Sequence, residues 1–454
     1  MIYIEQVVDF LNDILWGPPM IVLLTGTHLW LTYKTGFVQK YLLKGIKLSV
    51  TKDPDAQGDI GPFAALTTAL ASTIGTGNII GVATAIIAGG PGAVFWTWLI
   101  GVLGMATKYA ESLIAIKYRK KMPDGSYIGG AMTALEHLNL KGLGVAFAIL
   151  TALCAFGIGS GVQSNAIADI VATNYNVPVM VSAVTVAVLS AVVILGGVKS
   201  ISTVCEKLVP FMSLFYVLGC FYILFYNREY LGHTFTLILT SAFTPKAAAG
   251  GFVGSTIMTA ARNGIARGLF SNESGMGSAP IVAAASQSRN SVRTALISST
   301  GVFWDTVVVC LMTGLVLVSS IVANDAVSSI GLEGGQLASL TFAQIPVVGT
   351  PLLVFGVITF AFSTILGWYY YGERCLIYIF GNKVSIPYRC LLVIVVYLGA
   401  VLNLSLVWKI ADVLNALMSI PNLIALLLLS KLIVKETQYY LHENRLDERD
   451  PELE

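Results

Sequence analysis

Two runs of small and polar residues interrupt stretches that are otherwise apolar enough to be membrane helices: Ser72-Thr73-Ile74-Gly75-Thr76-Gly77-Asn78 and Phe270-Ser271-Asn272-Glu273-Ser274-Gly275-Met276-Gly277. A helix broken at such a run frees main-chain groups on both sides. At the first run the carbonyls of Ala71, Thr73 and Ile74 lose partners, and the amides of Thr76, Gly77 and Asn78 are released where the helix resumes. Freed carbonyls suit a cation, and freed amides at the positive end of a helix dipole suit an anion such as a carboxylate. One break therefore offers adjoining places for a sodium ion and one end of an amino acid. At the second run the carbonyls of Phe270, Ser271 and Asn272 could accept from an ammonium group, completing recognition of a zwitterion. Gly75, Gly77, Gly275 and Gly277 permit positive φ and close approach of backbone to a small ligand.

Other polar groups sit in apolar surroundings. Gln163, in Gly159-Ser160-Gly161-Val162-Gln163-Ser164-Asn165, is an amide that must find a partner or cost about 1 to 3 kcal/mol; it either links helices or touches substrate. Ser363 and Thr364, in Ala361-Phe362-Ser363-Thr364-Ile365-Leu366-Gly367-Trp368, have two readings. Their hydroxyls back-bond to the carbonyl four residues earlier, or they join freed carbonyls around a hard cation, which takes oxygen ligands. Ionisable residues inside apolar spans need a reason; these are Lys108, Glu111, Asp169, Arg262, Arg267, Glu273 and Asp305. Lys108 and Glu111, three apart on one helix face, read as an intrahelical ion pair. Arg262 and Arg267 are placed to pair with Glu273 or Asp305 in an extracellular gate.

Composition says what holds these groups. Of 454 residues 56% are hydrophobic and 11% charged, with mean hydropathy +0.77, against about 25% charged in soluble domains. The chain reads as an all-α polytopic membrane protein whose surroundings are the lipid bilayer. A net charge of +2 without a basic block argues against a nucleic-acid partner. Six separate cysteines show no metal-site spacing and read as packing residues. The four histidines lack any catalytic spacing such as HExxH, so an enzyme is not expected. No organic cofactor and no obligatory protein partner are implied.

Apolar runs of about 20 residues fall near 14 to 33, 62 to 88, 92 to 117, 145 to 173, 179 to 198, 203 to 226, 252 to 286, 294 to 323, 347 to 380, 389 to 406 and 410 to 434, about eleven in all. Lys34, Lys40, Lys44, Lys47, Lys52, Lys117, Arg119, Lys120, Lys121, Lys141, Lys199, Arg289, Arg293, Arg374, Lys383 and Arg389 fall on one side. The other side holds Arg228, Lys246 and Lys409. The positive-inside rule then puts the N-terminus outside and the C-terminus in the cytoplasm of a cell-membrane protein. With the first span set aside, each broken segment opens a group of five. An odd-numbered repeat must start from the opposite face, so a 5+5 inverted repeat is expected. The domains are then 1–55, an extra N-terminal helix and cytoplasmic linker; 56–228, the first five-helix repeat; 229–249, an extracellular lid or interfacial helix; 250–435, the second repeat; and 436–454, a solvated, frayed cytoplasmic tail.

Longer strings are familiar. Gly89-Gly90-Pro91-Gly92-Ala93-Val94-Phe95-Trp96-Thr97-Trp98, continued by Gly104-Met105-Ala106-Thr107 and Glu111, closely resembles the signature of the sodium:alanine/glycine symporter family. The Gly75–Asn78, Phe270–Gly275 and Ser363–Trp368 strings look like that family's motifs as well, so the resemblance covers essentially the whole chain. It implies cation-driven uptake of alanine or glycine through the leucine-transporter-type fold. Carried across by position, it places Thr76, Gly77, Asn78, Phe270, Ser271 and Asn272 at the substrate, with Gln163 expected beside them from its own buried amide, and Met276 and Trp368 where they limit the pocket to a methyl group. It places Ala71, Ile74 and Phe360 (carbonyls) with Ser363 and Thr364 (hydroxyls) around one sodium ion. Glu273 departs from the leucine-transporter pattern, which carries an uncharged residue there, so a single ion is expected. A proton-coupled symporter on the same scaffold, carried by Glu273, Asp305 or Asp169, is the alternative. A channel would need a continuous polar pathway with rings of carbonyls or charges.

Overall fold

The computed structural model describes residues 2–51, 56–244, 256–324, 329, 331–402 and 405–453. Lys52, Lys246 and the end of the expected lid, from 245 to 249, lie outside the described residues. The chain is almost wholly helical. α1 (Ile2–Leu15), α2 (Pro18–Lys34) and short α3 (Leu42–Ser49) precede the first broken unit, α4 (Pro62–Thr73) and α5 (Ile80–Gly89), joined by a tight turn over Thr76–Asn78. Then come α6 (Gly92–Lys117), short α7 (Ala131–His137), α8 (Lys141–Phe156), α9 (Val162–Tyr175), α10 (Val179–Leu195), α11 (Gly197–Tyr226) and α12 (Leu231–Phe243). The second broken unit is α13 (Ile257–Asn272) and α14 (Pro280–Ala283). It is followed by α15 (Ser291–Val302), α16 (Leu311–Ala323), α17 (Gly334–Ala343), α18 (Gly349–Phe380), α19 (Ser385–Val401), α20 (Ser405–Leu428) and α21 (Ser430–Glu436). A two-residue hairpin, Lys120–Lys121 against Tyr127–Ile128, is the strand pairing among the described residues.

Among the described residues, eight helices are long and apolar enough to cross a bilayer. The remaining expected crossings are built from shorter pieces: α4 with α5, α10 alone, and α13 with α14. Pro18 opens α2 at its first position, where a missing N–H is harmless, and Pro421 is carried inside α20. α8 and α9 run on through a wider π-type turn at Gly157–Gly161, and α15 and α16 through one at Phe303–Cys310. Such turns are common at functional sites.

Like elements of the two halves pack on each other: α6 against α15, α8 and α9 against α18, and α10 against α19. α18 comes close to α4 because Gly367 has no side chain; a Cβ there would lie 2.6 Å from Cβ of Ser72. The N-terminal helices lie outside this arrangement, with α2 on α6 and α1 on the N-terminal end of α20.

Several expectations change. Residues 231–243 of the expected lid or interfacial helix form α12, lying against α6, α13 and α16, and α17 is a further helix that at ten residues is too short to read as a span. The inner half of the second broken unit is only four residues long, because Gly275 and Gly277, at φ +93° and +79°, keep the chain out of helix until Pro280. Cys390 is exposed, whereas the other five cysteines are buried and free. The C-terminal tail is not frayed. Lys117, with its side chain 8% exposed at the end of α6, lies 3.3 Å from Glu436 and 2.8 Å from both Asp450 and Glu452. The Asn290 side-chain amide donates to the carbonyls of Leu446 and Glu448, each at 2.9 Å. A buried ammonium needs carboxylates, and the folded-back tail delivers them here. Deleting residues 445–454 is therefore expected to lower the apparent Tm of the purified protein by a few degrees; an unchanged melting curve would show the docked tail to be energetically idle.

Candidate substrate and ion site

The two breaks meet at the centre of the molecule, and their hydrogen bonds can be followed group by group. In the first break the amide of Gly75 turns away from the carbonyl of Ala71 and donates to Oδ1 of Asn78 at 2.8 Å. The Asn78 amide donates to the carbonyl of Gly75 instead of that of Ile74. The Ala71 and Ile74 carbonyls thus lose their helical donors. That of Ile74 faces α18, where Oγ of Ser363 and Oγ1 of Thr364 approach it to 3.4 and 3.3 Å. Both hydroxyls also donate to the carbonyl of Phe360, at 2.9 and 3.0 Å. Back-bonding within the helix and convergence on the first break are therefore both present. Four uncharged oxygens, two hydroxyl and two carbonyl, gather in a buried spot, a donor set matched to a hard monovalent cation and not to a soft metal.

In the second break the helical donors are diverted in the same way. Ser274 N–H donates to Oδ1 of its neighbour Asn272 (2.9 Å), Gly275 N–H to Oε1 of Glu111 (2.9 Å), and Met276 N–H to the carbonyl of Glu273 (3.2 Å). The carbonyls of Phe270, Ser271 and Asn272 are left without their usual partners. Glu273 ends α13 in the left-handed region at φ +55°, and its buried carboxylate accepts from Oγ of Ser278 at 2.5 Å.

A cavity of about 20 Å³ lies between the breaks, lined by Gly75 and Gly77, by Phe270, Ser271 and Glu273, and by Gln163, Thr364, Trp368 and Asn415, with Ser72, Thr73 and Ile158 completing its wall. It has room for about one water. Of the expected substrate residues it unites Gly77, Gln163, Phe270, Ser271 and Trp368. Oε1 of Gln163 accepts from the Thr76 amide at 3.3 Å and its Nε2 donates to the carbonyl of Ile158 at 3.0 Å, so this side chain both ties α9 to the break and faces the cavity. Of the three expected amides only that of Gly77 donates to no protein group among the described residues.

Other expected residues are placed elsewhere. Asn78 turns its side chain to Asp305, donating to Oδ1 at 2.8 Å. Asp305 also accepts from Ser271 (2.9 Å) and Thr306 (2.6 Å), forming a buried knot that braces the two breaks against each other. Asn272 spends its oxygen on Ser274 and does not line the cavity. Met276 is 1% exposed and packs into the second hydrophobic cluster, away from the cavity. The arginines do not meet Glu273 or Asp305. Arg262 lies 3.3 Å from Asp13, and Arg267 sits over the ring of Phe270 at 5.6 Å, because both lie outward of the break. Lys108 and Glu111 lie 4.0 Å apart, at the limit of an ion pair. The other oxygen of Glu111 has larger work: it accepts from the amides of Gly275 and Gly277 and from the amide of Asn422, at 2.9, 3.0 and 2.6 Å.

Asn415 and Asn422 were missed in the sequence reading. Each is a lone amide in the apolar α20, the same signal that singled out Gln163.

Broken helices packed around a central polar cavity in a multi-pass helical protein define a secondary transporter of the leucine-transporter type. The model of the sodium:alanine symporter family matches residues 1–454, and the chain belongs to that family. It is 47% identical over 452 residues to an uncharacterized transporter of Haemophilus influenzae, covering 98% of each chain. It is also 47% identical over 444 residues to the sodium/alanine symporter AgcS of Methanococcus maripaludis, covering 96% of this chain and 97% of that one. Among solved structures, the substrate-bound outward-open state of a Na+-coupled sialic acid symporter superposes with a TM-score of 0.59 at 15% identity, over 88% of this chain and 86% of the other. At that identity the likeness concerns the fold alone.

Proposed function

We propose that this protein carries alanine, with glycine as a possible second substrate, across the cell membrane together with sodium by alternating access. The observation that carries this reading is the convergence of the Ile74 and Phe360 carbonyls with the Ser363 and Thr364 hydroxyls directly behind the cavity-lining Gly75. Sodium binds there, with the carbonyl of Ala71 available beside it. The substrate carboxylate takes the Gly77 amide, and its ammonium takes the carbonyls of residues 270–272 and the carboxylate of Glu273. Phe270 and Trp368 limit the side chain. The cavity must widen to admit a six-heavy-atom ligand, and Phe270, only partly buried at its edge, is the group that moves.

Ion and substrate are coupled because the same short turn serves both. Sodium fixes the Ile74 carbonyl and so fixes the Gly77 amide, and by reciprocity substrate tightens ion binding. The five-plus-five division at 56–228 and 250–435, with the N-terminus outside and the tail in the cytoplasm, belongs to this proposal and is supported by the charge bias and by the pairwise packing of like helices. Alanine affinity titrated with and without sodium tests the reading: tightening of about 5- to 150-fold is expected, and indifference to the ion would overturn it. A second reading, proton coupling, is favoured by one observation, the buried Glu273 carboxylate in the cavity wall. Uptake that follows an imposed pH gradient without sodium, and is lost in Glu273→Gln, would establish it.

A further inference from the structure

The side-chain amide oxygens around the two breaks are used unequally. Oδ1 of Asn78 accepts from the Gly75 amide at 2.8 Å, Oε1 of Gln163 from Thr76 at 3.3 Å, and Oδ1 of Asn272 from Ser274 at 2.9 Å. Asn415, on α20, is different. It is 2% exposed and lines the central cavity, yet its Oδ1 is buried with no hydrogen-bond partner among the described residues. A buried acceptor left open costs stability, and native folds keep few of them.

The place of Asn415 is set by the packing of α20. Gly157, in the π-type turn between α8 and α9, leaves room for Ala411; a Cβ at Gly157 would stand 3.3 Å from that of Ala411. Asn415 lies four residues on, on the same helix face. Further along, the Asn422 amide donates to Oε1 of Glu111 at 2.6 Å and to the carbonyl of Gly275 at 2.9 Å. α20 is therefore anchored on one side of Asn415 to the α8–α9 turn and on the other to the second break, which holds Asn415 at the cavity between them.

The open oxygen matches a group that the proposed substrate brings. An alanine whose carboxylate sits on the Gly77 amide carries one other polar group, an ammonium with three N–H donors. The second break supplies acceptors for two of them, a carbonyl of residues 270–272 and the carboxylate of Glu273, both from one short segment. The third N–H is left for another wall. Oδ1 of Asn415 stands in a wall built by a different helix, and being uncharged it completes the ammonium without adding charge to the cavity.

We propose that Asn415 is a specificity-determining residue: its Oδ1 accepts the third N–H of the substrate ammonium, so the carrier takes primary amino acids in preference to N-methylated ones. The assignment deepens the proposed function and rests on the reading that the cavity takes an amino acid.

Binding of alanine and of N-methylalanine to the purified full-length protein in sodium tests it. The unaltered protein should prefer alanine about 10- to 100-fold, the loss of one hydrogen bond to a charged group. Asn415→Leu should weaken alanine by about that factor, change N-methylalanine little, and so bring the preference below about threefold. Asn415→Asp, which keeps an acceptor and removes the amide's own donor, should hold alanine within about threefold and keep the preference. Alanine affinity unchanged in Asn415→Leu overturns the assignment, and so does an equal loss for both ligands, which a merely structural role would give. No sodium-dependent alanine binding to the unaltered protein overturns the proposed function with it. Melting curves of the variants separate lost binding from lost folding.

Discussion

Ser363→Ala with Thr364→Ala is expected to weaken sodium binding on the order of 100-fold, at a cost of about 1 to 3 kcal/mol for each ligand removed, and to bring alanine affinity in sodium down to its sodium-free value. The two hydroxyls are half of the oxygen cluster behind the first break. Without them the ion keeps only the main-chain carbonyls of Ala71, Ile74 and Phe360 and cannot be stripped of its water there. The fold should persist. Both hydroxyls bond within their own helix to the carbonyl of Phe360, which retains its main-chain donor, and alanine is the best helix former. Sodium titrated against alanine binding in the double variant is the measurement, and unaltered sodium dependence would put the ion somewhere else.

Gly75→Ala is the second large effect. The torsion at Gly75 is ordinary extended backbone, so strain is not the issue; space is. A Cβ would stand 2.5 Å from Oγ1 of Thr364 and 3.4 Å from Oε1 of Gln163, forcing apart the groups that join the ion's cluster to the substrate's cavity. Overpacking of this kind costs about 1 to 3 kcal/mol. Here it displaces Oγ1 of Thr364 from the ion's oxygen cluster, so sodium-dependent alanine affinity should drop about 10- to 100-fold. Gly81→Ala is the matched control: nothing lies within 4 Å of its Cβ position, and transport should be normal. Equal affinities in the two variants would mean that the break has room the structure does not show.

Gly75 could be chosen from the sequence, because a glycine-rich polar run in an apolar stretch has a meaning in lipid that it lacks in water. The same reasoning isolated Gln163 and the hydroxyl pair, and could have isolated Asn415 and Asn422. It failed for several remote partners. Glu111 and the Gly275 amide are 164 residues apart, and Arg262 and Asp13 are 249 apart. The patterning of apolar residues reports which stretches enter the bilayer, but when every face is apolar it does not say which face meets which. For that reason Arg262 and Arg267 were expected beside Glu273 or Asp305 with neither partner fixed, and the docked tail was read as free. Met276 was carried into the pocket by motif alone, while the positive φ of Gly275 and Gly277 turns the chain so that it packs elsewhere.

The oxygens gathered at Ser363, Thr364, Ile74 and Phe360 are all neutral. On the proposed reading the loaded carrier therefore moves one uncompensated positive charge, its zwitterionic passenger contributing none. The membrane voltage then becomes a second source of driving force beside the salt gradient, about 2.3 kcal/mol for each 100 mV, inside negative. By itself that would sustain roughly a 50-fold accumulation of the amino acid. A starved cell that has lost its salt gradient but kept its voltage would still be able to feed through this protein.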